Sequence, residues 1–408
     1  MHVRPLARAA TLAACFLAAA CAPPASPSPR ARPRNALDSA ALATLDFAAA
    51  RYAQAAEAHD PAAGYPRATK PDGTWNAVPM NDWTSGFFPG TLWYLYEQTR
   101  YPALRTQAER WTLPLADIPK GRYTHDLGFQ FFSSFAKAYR LTGQERFRAP
   151  ALNAAGLLAG RYNPTVGAIK SWDWTDPKRP YPVIVDNMMN LELLFWGAKH
   201  GGRAEWTQMA RQHALTTLAN HVRADGGSFH VVVFDPATGA ALERITHQGY
   251  ADSTTWARGQ AWLIYGFSMA FRETHDARYL AAARRVADYA IPRLPADHVP
   301  CWDYQAPGCP DAPRDASAAA VTASGLLELS TFVPGPDGAR YRRTAEEILA
   351  SLTSPAYLAR DARTEAVLVH SVGNKPAGTE IDVGISYGDY YFVEALMRYL
   401  ALRGMSAL

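Results

Sequence analysis

Thr274-His-Asp-Ala-Arg-Tyr279 is a short polar turn between two helix-forming runs, and it recurs along the chain. Clear copies are Leu141-Thr-Gly-Gln-Glu-Arg-Phe147 and Gly335-Pro-Asp-Gly-Ala-Arg-Tyr341; weaker ones are Gln98-Thr-Arg-Tyr101 and His200-Gly-Gly-Arg-Ala-Glu-Trp206. Gly and Asp in such turns stop one helix and cap the next. The helix before each turn is rich in Leu, Phe, Tyr and Ala. The helix after it is amphipathic, as in Ala281-Ala-Ala-Arg-Arg-Val-Ala-Asp-Tyr289. This pattern predicts apolar helices near 86–98, 126–141, 187–199, 258–273, 316–332 and 387–402, with 38–58 supplying the remaining outer partner. Inner apolar and outer amphipathic helices in alternation close into a toroid. An open solenoid would need polar capping repeats, whereas Tyr387 to Leu400 reads as one more inner helix. Strand signal is scarce. Ser228 to Thr246 reads as a hairpin turning at Pro236 to Gly239, on the rim where inner helices begin.

The 408 residues are 48% hydrophobic and 19% charged, an ordinary globular balance, with a net charge of +4. No Lys/Arg run points to nucleic acid. The 11 Trp and 20 Tyr are a heavy aromatic load, part of it suited to stacking on sugar faces and most of it to a core. Residues 1–21 read as a signal peptide, with Arg4 and Arg8 before the apolar run Ala9 to Ala20. Ala18-Ala19-Ala20-Cys21 followed by a Pro/Ser tether resembles a bacterial lipoprotein site, with Cys21 as lipid anchor; ordinary cleavage near Ala20 is the alternative. The product is thus expected to be exported, either periplasmic or membrane-anchored through that lipid. Residues 22–35 read as a disordered linker and 36–408 as a single domain. Cys301 and Cys309 suggest a short disulfide loop in an oxidising compartment rather than a metal site, since no second Cys/His pair accompanies them.

In a toroid of this kind the residues preceding each inner helix converge on one mouth. They include Asn81-Asp82-Trp83, His125-Asp126, Trp172-Asp173-Trp174, Asp186, His247-Gln248, Trp256, Arg258, Asp303, Arg314, Asp315, Tyr387 and Asp389. Asp186 and Asp126 each open a helix. Either is a plain N-cap when taken alone, but together with Trp, His, Gln and Arg they suit a charged sugar. His230 and His247 read as buried, satisfied histidines or as site groups.

These stretches resemble glycoside hydrolase family 88, the unsaturated glucuronyl hydrolases. The resemblance rests on Trp83-Thr-Ser-Gly-Phe-Phe-Pro-Gly-Thr-Leu-Trp93, His125-Asp126-Leu-Gly-Phe, Val185-Asp186-Asn-Met-Met-Asn-Leu191, His247-Gln248-Gly to Trp256-Ala-Arg258-Gly-Gln-Ala-Trp262, and Gly388-Asp389-Tyr390. It implies an all-α (α/α)6 barrel and removal of a 4,5-unsaturated uronic acid from lyase-made oligosaccharides by hydration of the C4=C5 bond. It implies Asp186 as general acid/base, Asp126 as assisting carboxylate, and Trp83, His125, Trp172, His230, Gln248, Arg258 and Trp262 around the sugar, with Trp83, Trp172 and Trp262 stacking and Arg258 free to bind an anion. It implies no metal and no organic cofactor. Other readings are a hydrolase of pectin-derived unsaturated galacturonyl-rhamnose, an inverting glycosidase with its acid and base about 6.5–9.5 Å apart, a sugar epimerase using His230 and His247, and a lipoprotein that only captures oligosaccharides.

Overall fold

The computed structural model describes residues 1–2, 33–117, 124–360 and 363–405. Cys21, nearly all of the expected signal peptide and most of the expected linker lie outside the described residues. The described residues form α1 (Ala36–Ala58), α2 (Phe87–Thr99), α3 (Pro102–Thr112), α4 (a π-wound stretch, Gly128–Ala136, continued by Lys137–Thr142), α5 (Glu145–Ala159), α6 (Asn187–Lys199), α7 (Glu205–Asn220), α8 (Ala257–Thr274), α9 (Ala277–Ala290), α10 (Ala316–Phe332), α11 (Gly335–Leu352) and α12 (Ser386–Leu402). Each even-numbered helix packs on the next, and α12 packs on α2. The ring therefore closes as an all-α (α/α)6 barrel. The odd-numbered helices form the outer layer, with α1 lying against α2, α11 and α12.

Helix composition decides the layer. α8 buries every residue from Ala257 to Ala270; apolar side chains dominate all its faces, and the buried Arg258, Gln260 and Ser268 are hydrogen-bonded. α9 buries a stripe, Tyr279, Ala282, Ala283, Val286, Ala287 and Ala290, and leaves Arg285 and Asp288 exposed. The turn between them follows the sequence reading: His275 takes the left-handed cap at φ 55°, and the Asp276 side chain accepts the Arg278 N–H. Inner helices approach closely where a side chain is missing. A Cβ at Gly266 would lie 2.6 Å from Met188 Cβ, and one at Gly325 would lie 2.9 Å from the Tyr265 nitrogen.

Two expectations are corrected. The linker ends before residue 35, because Asn35 caps α1 by accepting the Asp38 N–H at 2.7 Å and the Arg34 N–H bonds Asp38 Oδ2 at 2.8 Å. Strands are also more numerous than one hairpin. They are β1 (Tyr65–Thr69) with β2 (Trp75–Val78), β3 (Tyr162–Asn163) with β4 (Ala168–Ile169), β5 (Tyr181–Ile184) with β6 (Val231–Phe234) and β7 (Ala241–Ile245), and β8 (Ser371–Asn374) with β9 (Thr379–Val383), all antiparallel. The expected hairpin is β6–β7, and β5 adds a third strand to it. Strands of two to five residues are too short to show alternation in the sequence.

Below the site, the barrel axis is filled by rings. Phe87 and Phe129 lie 5.3 Å apart, Phe129 and Trp262 5.4 Å, and Trp262 and Tyr391 5.3 Å. The far end carries paired charges, with Arg272 on Glu192, Arg398 on Glu328 at 2.9 Å, and Lys137 3.8 Å from Glu394. The ring is clasped at its seam by Asp389 of α12. It accepts the Tyr52 hydroxyl of α1 at 3.0 Å and the backbone N–H groups of Val367 and Leu368 at 2.9 and 2.8 Å. Asp389→Ala orphans these donors at about 1–3 kcal/mol each. The expected loss of about 3 kcal/mol or more is read as a lower urea midpoint at unchanged slope; a wild-type midpoint would refute the clasp.

Candidate active site

A cavity of about 430 Å³ opens where the inner helices begin. Trp83, His125, Asp126, Trp172, Asp186, Gln248 and Arg258 line it, all of them expected from the sequence. Trp174, Asp173, His247, Trp256 and Tyr387 join from the same entry loops.

Asp186 sits between β5 and α6. It occupies the cap position with no side-chain cap bond, so the plain N-cap reading fails. Its Oδ1 is buried without a hydrogen-bond partner. Burial raises its pKa to about 7; Asp126 adds to the rise, while Arg258 and the Trp262 indole pull it back. His230 Nε2 stands 3.8 Å from that Oδ1. The backbone N–H groups of His247 and Gln248 reach His230 Nδ1 at 3.2 and 3.3 Å. A nitrogen that accepts carries no proton, so these contacts place the proton on Nε2, facing Asp186. The Trp256 ring stacks on the imidazole at 4.4 Å and fixes its plane. The pairing of β5 with β6 brings His230 here: Ile184 opposes Val231, and the Val185 N–H bonds the His230 carbonyl.

Asp126 precedes the π-wound start of α4, a helix form frequent at functional sites. Its Oδ2 accepts the Thr124 hydroxyl at 3.0 Å, and its Oδ1 lies 3.2 Å from His125 Nε2. His125 Nδ1 faces the Ser171 carbonyl at 2.9 Å and therefore donates to it. Nε2 is then an acceptor beside a carboxylate, and the pair needs one proton between the two atoms. Burial raises Asp126 and lowers His125; both directions favour the neutral pair with the proton on Asp126.

Two expected residues do not line the cavity. His230 is only 3% exposed and Trp262 is 0% exposed. Both lie beneath the floor, so the expected stacking of Trp262 on a sugar face is corrected: its ring is packed between Phe129 and Tyr391 in the barrel axis. Arg258 lines the cavity, but its Nη1 bonds Asp315 Oδ2 at 2.7 Å and its Nη2 bonds the Gly373 carbonyl at 2.7 Å. Its fork is thus engaged within the protein. Asp389, at the seam, is a structural group. Arg67, Gly373, Asn374, Thr379 and Glu380 also line the cavity, contributed by β1 and by the β8–β9 hairpin. The turn signal Asn374-Lys-Pro-Ala-Gly378 could have marked that hairpin.

Cys301 and Cys309 are bonded, with Cα atoms 6.2 Å apart. The loop packs Cys301, Trp302 and Ala306 on Val372 of β8. Its Asp303 accepts the Tyr250 N–H at 3.0 Å and the Thr254 hydroxyl at 2.8 Å. One strap therefore braces both the His247–Gln248 rim and β8. Among the described residues no group of three or more His, Cys, Asp or Glu is placed to hold a metal.

Two buried carboxyls whose pKa burial raises, beside oriented histidines and aromatic walls, define a site that acts on sugars. Residues 53–391 match the model of Glycosyl Hydrolase Family 88, and the chain belongs to that family, hydrolases of glycosyl compounds. It is 43% identical over 325 residues to an unsaturated glucuronyl hydrolase of Formosa agariphila, covering 79% of this chain and 80% of that one. Its fold matches a solved unsaturated glucuronyl hydrolase specific for heparin with a TM-score of 0.87 and 42% identity, covering 91% of this chain and 99% of that one. It also matches the glycosaminoglycan-degrading enzyme of Bacillus sp. GL1 with a TM-score of 0.83 and 32% identity, covering 90% and 97%.

Since Asp186 is raised in the folded state, the folded protein holds a proton there that the unfolded chain has released between pH 4 and 7. The stability contributed by that proton is full below pH 4 and is lost as pH rises to about 7. Asp186→Asn should therefore melt higher than wild type at pH 8, with the gap closing towards pH 4. An equal gap at both pH values would contradict the buried-acid assignment.

Proposed function

We propose that this hydrolase removes the 4,5-unsaturated uronic acid from the non-reducing end of lyase-made glycosaminoglycan oligosaccharides, with Asp186 as general acid/base and Asp126 as its assistant. The observation that carries this is the Asp186 carboxyl, buried, without a hydrogen-bond partner on Oδ1 and with a pKa of about 7. An enol ether is protonated on carbon only by an acid that still holds its proton near neutral pH. Asp186 gives its proton to C4. Water adds at C5 and its released proton returns to the Asp186 carboxylate. The product is a C5 hemiketal, which opens to a ketone and frees the remaining saccharide from C1. Asp126, whose acidity burial weakens, assists from its place beside His125. His230 turns its Nε2–H towards Asp186 at 3.8 Å, and Trp83 and Trp172 line the cavity with aromatic rings.

The test is decay of the ultraviolet band of the conjugated C4=C5 uronate, using lyase-made disaccharides from chondroitin, hyaluronan, heparin and pectin. Decay is expected on the glycosaminoglycan products, falling above about pH 7 as Asp186 ionises. Asp186→Asn should lose about 10²–10⁴-fold in turnover or more while still binding substrate. Undiminished turnover in that variant would remove Asp186 from the mechanism, and decay on the pectin product alone would move the substrate class.

We further propose that the chain is exported and lipidated at Cys21. The Ala18-Ala19-Ala20-Cys21 site and the Cys301–Cys309 disulfide support export to an oxidising compartment. Radiolabelled palmitate should enter the protein in growing cells and not its Cys21→Ser variant; equal labelling of both would refute the anchor.

A further inference from the structure

Arg258 is a cation set almost wholly out of water. It is 1% exposed, and its partner Asp315 is 0% exposed. A buried guanidinium persists only where its charge is met. Asp315 meets it from the start of α10, with Arg258 Nη1 donating to Oδ2 at 2.7 Å. The two carboxylate oxygens divide the task. Oδ1 accepts the Ser317 and Ala318 N–H groups at 3.1 and 3.2 Å and the Ser317 hydroxyl at 2.6 Å, which caps α10. Oδ2 is left for the arginine. The guanidinium is held from three further directions: Nη2 bonds the Gly373 carbonyl at 2.7 Å, and the Trp256 and Tyr387 rings lie 4.6 and 5.2 Å from its carbon.

This pair stands beside the acid proposed above. After burial, the positive charge of Arg258 is the largest influence on the Asp186 carboxyl, and it favours the ionised form. The other groups facing Asp186 are Asp126 from ahead of α4, the Trp262 indole of α8 and His230 from ahead of β6. Arg258 in turn faces Asp315, Asp186, Tyr387 of α12 and Glu380 of β9. Burial holds the Tyr387 phenol in its neutral form, and Glu380 is bound by Arg67, Nε to Oε1 at 2.6 Å. Asp315 is therefore the anion whose direct contact offsets Arg258. With Asp315 charged, Asp186 faces an ion pair. With Asp315 neutral it would face an uncompensated cation, and a nearby cation lowers a carboxyl by about 1–3 pH units.

Building on the hydration reading above, we propose that Asp315 is a positioning residue that acts on Asp186 through Arg258: it fixes the guanidinium and offsets its charge, so that Asp186 keeps the proton it delivers. The experiment follows the Asp186 carboxyl by 13C NMR against pH in aspartate-labelled protein, with Asp186→Asn identifying the signal. It needs no substrate. Asp315→Asn keeps an oxygen for the α10 cap and removes the charge. Its Asp186 midpoint should fall about one pH unit below wild type. The basic limb of turnover on the unsaturated disaccharides should move down with it, an extra loss of about fivefold at pH 7 relative to the acid plateau. Arg258→Met removes the cation and leaves Asp315, so it should move the midpoint upward. Loosened packing does not move the midpoint in opposite directions in the two variants. A role confined to capping α10 would lower the urea midpoint, and the rate at every pH alike, with Asp186 titrating as in wild type; that result overturns the inference. If Asp315→Asn does not fold, Arg258→Met decides alone, and a midpoint unmoved or lowered there overturns it. No decay of the ultraviolet band on any unsaturated disaccharide, with both midpoints moving as stated, overturns the hydration reading and upholds the action of Asp315 on Asp186.

Discussion

A ring of helices is stable only if its last member meets its first. Here the chain must bring α12 beside α1 and α2 after more than three hundred residues, and Asp389 is placed at that seam. Its carboxylate takes a phenol from one end of the chain and two backbone donors from the segment before β8. Asp38 repeats the device one helix length away, accepting the Tyr399 hydroxyl at 2.6 Å and facing Arg403 at 3.2 Å. With the seam closed, six helix starts are fixed around one opening. The entry loops then have no freedom to spread their charged residues apart.

Closure also creates the chemistry. Rings fill the axis immediately below the cavity, and that packing withholds water from Asp186. An aspartate in water would be ionised at neutral pH; burial here raises the pKa of Asp186 to about 7, so a large share keeps its proton. The same packing orders its neighbour, since His230 is pinned by two backbone amides and a stacked indole. Core and site are one object, and a change in floor aromatics reaches the acidity of Asp186 without touching substrate.

Much of this was legible in the sequence, for identifiable reasons. The turn at Thr274–Tyr279 and its copies each join an inner helix to an outer one, and α6 and α10 fall on their predicted residues. Asp126 and Asp186 were found because each precedes an inner helix. The β8–β9 hairpin was not, because its strands are short and its pairing with the cavity is a matter of tertiary position. Glu380 and Arg67 therefore stayed hidden, as did the engagement of Arg258 by Asp315. Helical period places Trp262 on an inner helix, but it cannot say that the residue lies one layer too deep to touch a sugar. The approach of His230 to Asp186 depends on β5 pairing with β6, a contact between segments that the local pattern leaves separate.

The aromatic filling of the axis has one more consequence. A cavity of about 430 Å³ that ends on Phe129 and Trp262 is a cul-de-sac. A polysaccharide cannot be threaded through it, so only the terminal ring of a chain reaches Asp186, and digestion is confined to one end, one residue per visit. Traffic is also last-in, first-out. In the proposed reaction the outer saccharide has to depart before the sugar acid behind it can.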